Sequence, residues 1–294
     1  MQCRYRTILS IDGGGIRGIL PLLILQHIQS NLNHINDTKS FTDWINLFAG
    51  TSTGAIISGA LMLSDVNGNK KYTVNDILHL YKSRGKQIFN EALNLNTSHP
   101  EYPLKFILEQ NFGNSSIQDV KKHFIFLSYD LNSQEPFIFK DDMKWCKNLA
   151  LSKVMMACSA IPGYFPPIEL GEKVLADGMF TAKNPAMLAL EYARLYYPDD
   201  PIILISLGTG SFKSSLNDKI ENDCSNVHRD LEILEKQNKN LIYFRFQPEL
   251  LLSNSDLADT SDENLLNLER DTLKYIDENV RKFQQLYNFM ALCE

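Results

Sequence analysis

INLFAGTSTGAII, residues 45–57, places a Gly-x-Ser-x-Gly motif between two apolar runs. Residues 45–49 predict a buried strand, and residues 53–63 predict the helix that follows it. A Gly-x-Ser-x-Gly between a strand and a helix puts the serine hydroxyl on a sharp, strained turn of an α/β sheet. The flanking glycines permit the turn and leave room for a substrate beside the hydroxyl. This spacing predicts Ser52 as the nucleophile of an acyl hydrolase, although a capping serine in a tight turn would fit the same residues.

A second glycine motif, Asp12-Gly13-Gly14-Gly15-Ile16-Arg17-Gly18, follows a β-branched and apolar run at residues 7–11. Pro21 then opens a helix predicted to run to residue 35. Three consecutive glycines before a helix can expose successive backbone N–H groups, reinforced by the helix dipole. We therefore expect Gly13, Gly14 and Gly15 to form an oxyanion hole. Arg17 either contacts a substrate phosphate or pairs with a carboxylate, and Thr53 is a further candidate substrate contact.

The third motif is Asp177-Gly178-Met179, which follows the short apolar run 174–176. An aspartate is a weak base for a hydroxyl, but burial among apolar neighbours raises its pKa. Asp177 is therefore the candidate base for Ser52. The alternative is a turn aspartate that hydrogen-bonds its own backbone. Because each motif follows a predicted strand, we expect all three to meet at the carboxyl edge of one sheet.

The first glycine motif also fits the Gly-x-Gly-x-x-Gly fingerprint of dinucleotide-binding proteins. Asp12 would place a carboxylate beside the pyrophosphate, and the acidic residue at the expected distance, Asp37, lies in a polar loop. Both observations disfavour a dinucleotide site. The six histidines form no metal pattern, so we expect no cofactor and a dyad without histidine.

Alternating strands and helices predict a three-layer α/β/α sandwich with a mostly parallel central sheet. We expect one domain over residues 1–294, with a catalytic core at about 5–212. Residues 211–240 are polar and asparagine-rich, and are predicted to be a mobile loop. A strand at 242–246 and one long amphipathic helix at 261–292 complete the chain.

Composition excludes several classes of protein. The chain of 294 residues is 44% hydrophobic and 22% charged, as in ordinary globular domains, with a net charge of −6. No global basic field would attract nucleic acid or an anionic membrane. Five scattered cysteines favour a reduced, intracellular protein. The start of the chain does not resemble a signal peptide and no apolar run would span a bilayer. We expect a cytoplasmic or peripheral membrane location, with delivery into another cell as an effector left open.

With these motifs the chain resembles the patatin-like phospholipases over about residues 5–212. The resemblance rests on residues 12–18, 50–54 and 177–179, with further similar segments at 128–130, 159–162 and 206–210. It implies an α/β/α fold, a Ser52–Asp177 dyad, an oxyanion hole at Gly13–Gly15, and calcium-independent hydrolysis of phospholipid or other acyl-lipid esters through an acyl-enzyme. The family's usual Asp-Gly-Gly or Asp-Gly-Ala is Asp-Gly-Met here, so Met179 is expected to narrow the site or contact the acyl chain.

Peripheral contact with a membrane is expected of an enzyme that acts on lipids. The candidate interfacial residues are Ile88, Phe89, Leu93, Leu95 and Tyr102, which otherwise would form a cap packed on the core. Two other functions use the same residues: a catalytically silent lipid-binding or scaffold homologue, and a small-ester or thioester hydrolase.

Overall fold

The structure is a computed structural model that describes residues 5–65, 67–92, 102–212 and 219–293. At its centre is an eight-stranded sheet. The strands are β1 (Arg6–Ile11), β2 (Leu47–Thr51), β3 (His123–Asp130), β4 (Glu135–Lys140), β5 (Ile168–Leu170), β6 (Lys173–Asp177), β7 (Ile202–Leu207) and β8 (Leu241–Phe246). Their order is β5-β6-β3-β2-β1-β7-β8, and β4 also pairs with β3. The run β3-β2-β1-β7-β8 is parallel, whereas β4, β5 and β6 pair antiparallel.

Helices cover both faces of this sheet. They are α1 (Ile19–Ile35), α2 (Thr53–Met62), α3 (Val74–Ala92), α4 (Tyr102–Phe112), α5 (Leu151–Cys158), α6 (Ala186–Tyr196), α7 (Lys219–Gln237), α8 (Asp262–Glu278) and α9 (Val280–Met290). Helices α6 and α7 pack on one face, and the others contribute to the core on the opposite face. The predicted three-layer α/β/α sandwich with a mostly parallel sheet is confirmed.

The two cores follow from the alternation of side chains along buried strands. In β1, Ile8 belongs to the core beneath α6 and α7, whereas Leu9 and Ile11 belong to the opposite core. All three side chains are fully buried. Burial of each contributes about 1.5–3 kcal/mol, before the entropy of ordering the chain is counted. Central strands that bury both faces thus hold their carboxyl ends in fixed positions.

The register brings several of those ends to one level. Ile11, the last residue of β1, pairs with Gly50 of β2 and with Leu207 of β7. The glycine loop and the Ser52 turn therefore leave the sheet side by side. Asp177 reaches the same level, but not at the end of a parallel strand as predicted. Strand β6 runs antiparallel to β3, and its last residue, Asp177, pairs with Ser128. Thr51 pairs with the residue before Ser128. Ser52, which follows Thr51, therefore lies at the same level of the sheet as Asp177.

Two predicted elements differ in the structure. The prediction of a loop over residues 211–240 is wrong for Lys219–Gln237, because these residues form the helix α7. Among the described side chains of this helix, those that are buried are Cys224 and Leu231, and a stripe this narrow is hidden by the polar composition of the segment. The single helix expected at 261–292 is wrong at Asn279, which ends α8 and caps α9. Its side chain donates to the carbonyl of Tyr275 (2.8 Å), and such local bonds compete with helix continuation.

Candidate functional site

Ser52 occupies the sharp turn between β2 and α2. Its φ of 53° and ψ of −122° lie in a region that L-residues rarely adopt, and the residue is 9% exposed. Close packing fixes this turn, since a Cβ added at Gly54 would lie 2.1 Å from the carbonyl oxygen of Ile11. Thr51 Oγ1 donates to the carbonyl of Ala182 (2.7 Å) and fastens the turn from its other side. The sequence-predicted strained serine turn is the one observed.

Asp177 accepts a hydrogen bond from the Ser52 hydroxyl, with 2.6 Å between Oγ and Oδ2. The carboxylate is fully buried, and its other oxygen accepts from the amide of Met179 at 2.8 Å. Burial raises the pKa of Asp177 to about 6, although the hydrogen bonds from Ser52 and Met179 oppose that rise. A carboxylate with this pKa is a better proton acceptor than an exposed aspartate and is still largely ionised at neutral pH.

The glycine loop lies beside this pair and differs in one detail from its expected arrangement. The Gly13 amide donates to the carbonyl of Lys183 (3.0 Å), so it is already engaged within the protein. None of the described residues accepts a hydrogen bond from the amides of Gly14 and Gly15. A Cβ at Gly14 would lie 2.3 Å from Thr209 Oγ1, which itself donates to the Gly13 carbonyl (2.7 Å). The loop is thus held rigidly, with two amides available.

A buried ion pair supports the loop, and no pattern in the sequence indicates it. Asp12 accepts from both terminal nitrogens of Arg245, at 2.9 and 2.5 Å. Arg245 also donates to Ser206 (2.8 Å). Their side chains are 0% and 4% exposed. Since Arg245 lies on β8, the C-terminal part of the chain fixes the residue that begins the glycine loop.

Ser52 and Asp177 open onto a cavity of about 420 Å³. Its apolar lining comes from helices α2, α3 and α4 and from the segment after α5, and includes Ile56, Ile77, Leu108, Phe112, Ile161 and Phe165. Arg17, Thr53 and Met179 also line it. Arg17 is 4% exposed and lies 5.9 Å from the ring of Phe212, whereas the Thr53 hydroxyl pairs with the Tyr81 hydroxyl. The cavity therefore joins the polar Ser52–Asp177 pair to an apolar compartment.

The polar lining contains a second ion pair, which sequence reasoning also missed. Lys183 Nζ pairs with Glu221 of α7, and the two side chains are 7% and 15% exposed. Glu221 cannot be identified from the sequence, because the polar composition of its segment predicts a loop.

His228 is the one histidine that follows Asp177 in the chain. Its Nδ1 atom lies 3.3 Å from the hydroxyl of Tyr243 on β8.

The expected interfacial residues lie in two different situations. Ile88 and Phe89 are partly buried against the core and line the cavity, and the Phe89 ring contacts Tyr164 and Phe165. Leu93 and Leu95 fall outside the described residues, as does the side chain of Tyr102. Across the described part of the chain, no helix is long and apolar enough to cross a membrane.

Within the same ranges, no group of histidine, cysteine and acidic side chains is arranged to hold a metal ion. Cys146, Cys158 and Cys224 are buried free thiols.

The chain is similar in sequence to known proteins. A family model described as patatin-like phospholipase matches residues 9–190. Patatin-07 and Patatin of Solanum tuberosum are each 28% identical to the chain over 235 residues, covering 70% of it. The match spans 60% of the length of each of these relatives. The crystal structure of VipD from Legionella pneumophila aligns with a TM-score of 0.48 at 11% identity, covering 94% of this chain and 67% of VipD.

Proposed function

The chain belongs to the patatin-like phospholipase family, and on that premise we propose that it hydrolyses acyl ester bonds of phospholipids or related lipids. The observation that supports this most directly is the 2.6 Å hydrogen bond from Ser52 to Asp177 at the wall of an apolar cavity. A nucleophile within hydrogen-bond reach of a buried base is the arrangement that acyl transfer requires.

In the proposed reaction, Ser52 Oγ attacks the ester carbonyl while Asp177 Oδ2 accepts its proton. The developing oxyanion takes hydrogen bonds from the amides of Gly14 and Gly15, each donor of this kind contributing about 2.7–4 kcal/mol. Collapse of the intermediate expels the alcohol, which receives the proton from Asp177, and leaves a Ser52 ester of the fatty acid. Asp177 then deprotonates a water molecule that hydrolyses this ester.

Each of these steps uses groups of the chain itself, so we propose that the reaction does not require calcium. Hydrolysis should be unchanged when a calcium chelator is added to the assay. A loss of turnover that added Ca²⁺ restores would contradict this part of the proposal.

The cavity favours a lipid over a small ester. Side chains from α2, α3 and α4, among them Ile56, Ile77 and Leu108, provide apolar surface away from Ser52 and Asp177. A long acyl chain would bury against this surface, at roughly 0.8 kcal/mol for each CH₂ group. Met179 also lines the cavity and would contact the bound chain. Where such a substrate remains in a bilayer, the protein contacts the membrane surface in order to bind it.

The test is mass spectrometry of the products formed from a mixed lipid extract, with the Ser52→Ala variant as control. Wild-type protein should release free fatty acids and the matching lysolipids, and Ser52→Ala should release neither. Equal product patterns for the two proteins would favour the silent homologue. Turnover of short p-nitrophenyl esters without turnover of lipid would favour the small-ester hydrolase.

A further inference from the structure

The Lys183–Glu221 ion pair lies in the wall of the cavity, and the proposed mechanism does not use it. Both residues line the same cavity as Ser52, and both side chains are nearly withdrawn from solvent. A dehydrated ion pair contributes little to stability, because the cost of desolvation offsets most of the attraction. Its position beside the reaction centre therefore suggests a role towards a ligand.

Rigid elements hold Lys183 next to the reacting groups. The carbonyl of Ala182 accepts from Thr51, the residue before Ser52, at 2.7 Å. The carbonyl of Lys183 accepts from the Gly13 amide at 3.0 Å. The Lys183 backbone is thus fastened to both the serine turn and the glycine loop. Glu221, in contrast, belongs to the first turn of α7 and is the more exposed partner.

The charge of the cavity differs in sign from the charge of the chain. Among the described residues that line it, the cationic ones are Arg17, Arg84 and Lys183, and the acidic ones are Asp177 and Glu221. The lining therefore carries one net positive charge, while the whole chain carries −6. The neighbouring carboxylate of Asp12 is bound by both terminal nitrogens of Arg245. Of these two ion-paired carboxylates, Glu221 is therefore the one that an anionic ligand can displace.

We propose that Lys183 and Glu221 form a charge-selective subsite for a phosphate group of the substrate. On binding, a phosphate oxygen replaces the Glu221 carboxylate as the partner of the Lys183 ammonium. An uncharged glyceride leaves the ion pair intact and gains nothing from it. This inference rests on the proposed function and names its substrate class as acyl lipids that carry phosphate. Glu221 competes with that phosphate and thereby sets the selectivity.

Binding to a catalytically inactive protein tests the subsite without any turnover. The Ser52→Ala variant is titrated with dodecylphosphocholine and with dodecyl maltoside, each below its micelle concentration. Adding Lys183→Met should weaken dodecylphosphocholine binding about tenfold, the size expected for a lost charge-assisted hydrogen bond. Lys183→Arg should retain most of the affinity, and Glu221→Gln should increase it. Maltoside binding should not change.

Lys82→Met is the matched control, because Lys82 pairs with Glu269 at 2.7 Å and does not line the cavity. It should leave both affinities unchanged. Equal losses for the two amphiphiles in Lys183→Met would overturn the subsite and leave a structural role for the pair. Inorganic phosphate that binds as tightly as dodecylphosphocholine would overturn the assignment to a lipid headgroup.

Turnover provides the second readout in the enzyme with Ser52 intact. The ratio of kcat/KM for phosphatidylcholine to that for a diacylglycerol of the same chains, in the same mixed micelles, should fall about tenfold in Lys183→Met. An unchanged ratio would contradict the inference. A protein that binds dodecylphosphocholine as described but hydrolyses neither lipid would contradict the proposed function alone.

Discussion

At the residue scale, Ser52 combines a strained backbone with the hydroxyl on which the proposed reaction depends. A non-glycine residue at φ 53° and ψ −122° costs about 1–3 kcal/mol, and the surrounding packing holds it there. The sequence predicted this turn because all of its determinants are adjacent in the chain: a buried strand, two glycines and an apolar helix.

Replacing Ser52 by glycine should therefore separate stability from activity. Ser52→Gly relieves the backbone strain and should raise the free energy of unfolding by about 1 kcal/mol, while hydrolysis falls at least about 10³-fold. Ser52→Ala keeps the strain and should lose the same activity without that gain. Urea unfolding of the three proteins measures the difference, and equal stability of the two variants would refute the strain.

Asp177 should control the pH dependence of catalysis. Its pKa of about 6 means that the carboxylate loses the ability to accept a proton as the pH falls through that value. The kcat/KM should rise with pH and reach half of its plateau near pH 6. A profile that is flat from pH 5 to 8 would contradict a role for Asp177 as the base.

The same pKa predicts the stability of Asp177→Asn. Because burial raises the pKa from 3.8 to about 6, the folded protein binds this proton more tightly than the unfolded chain does. Ionisation therefore removes stability as the pH rises through this interval, by up to about 3 kcal/mol above it. Asp177→Asn should be inactive, and its gain in melting temperature over wild type should be larger at pH 8 than at pH 5. A gain that does not change with pH would contradict this.

At the element scale, strands that are distant in sequence hold the groups of the proposed reaction in place. The sequence placed Asp177 after a strand, but the antiparallel direction of β6 depends on pairing with β3, which no local pattern reveals. The engaged amide of Gly13 likewise depends on Lys183, far along the chain. The sequence does not predict helix α7 or the break at Asn279, because a narrow apolar stripe and one side-chain hydrogen bond decide them.

Loss of the Arg245 side chain, which binds Asp12 from strand β8, should lower the free energy of unfolding. Arg245→Met leaves the fully buried Asp12 carboxylate without its partner, and such changes destabilise proteins by about 3–5 kcal/mol. The double variant Asp12→Asn, Arg245→Met should recover part of that loss in urea unfolding. Arg6→Met is the control, since its pair with Asp200 is partly exposed and contributes at most about 1 kcal/mol. Equal effects at positions 6 and 245 would contradict the importance of the buried pair.

At the scale of the whole molecule, a net charge of −6 surrounds a cavity whose lining is positive. Long-range repulsion should slow the approach to anionic vesicles, and salt should screen it. Raising the ionic strength should therefore speed hydrolysis of anionic vesicles relative to zwitterionic ones that hold the same phospholipid substrate. A relative rate that falls with added salt would indicate a basic membrane-binding surface instead.

Covalent labelling tests the proposed dyad most directly. A fluorophosphonate should add once to the wild-type protein, and peptide mass spectrometry should place the adduct on Ser52. The labelling rate should increase with pH about a midpoint near 6, following Asp177, and should fall sharply in Asp177→Asn. An adduct on another residue, or equal labelling of wild type and Asp177→Asn, would contradict a serine activated by this carboxylate.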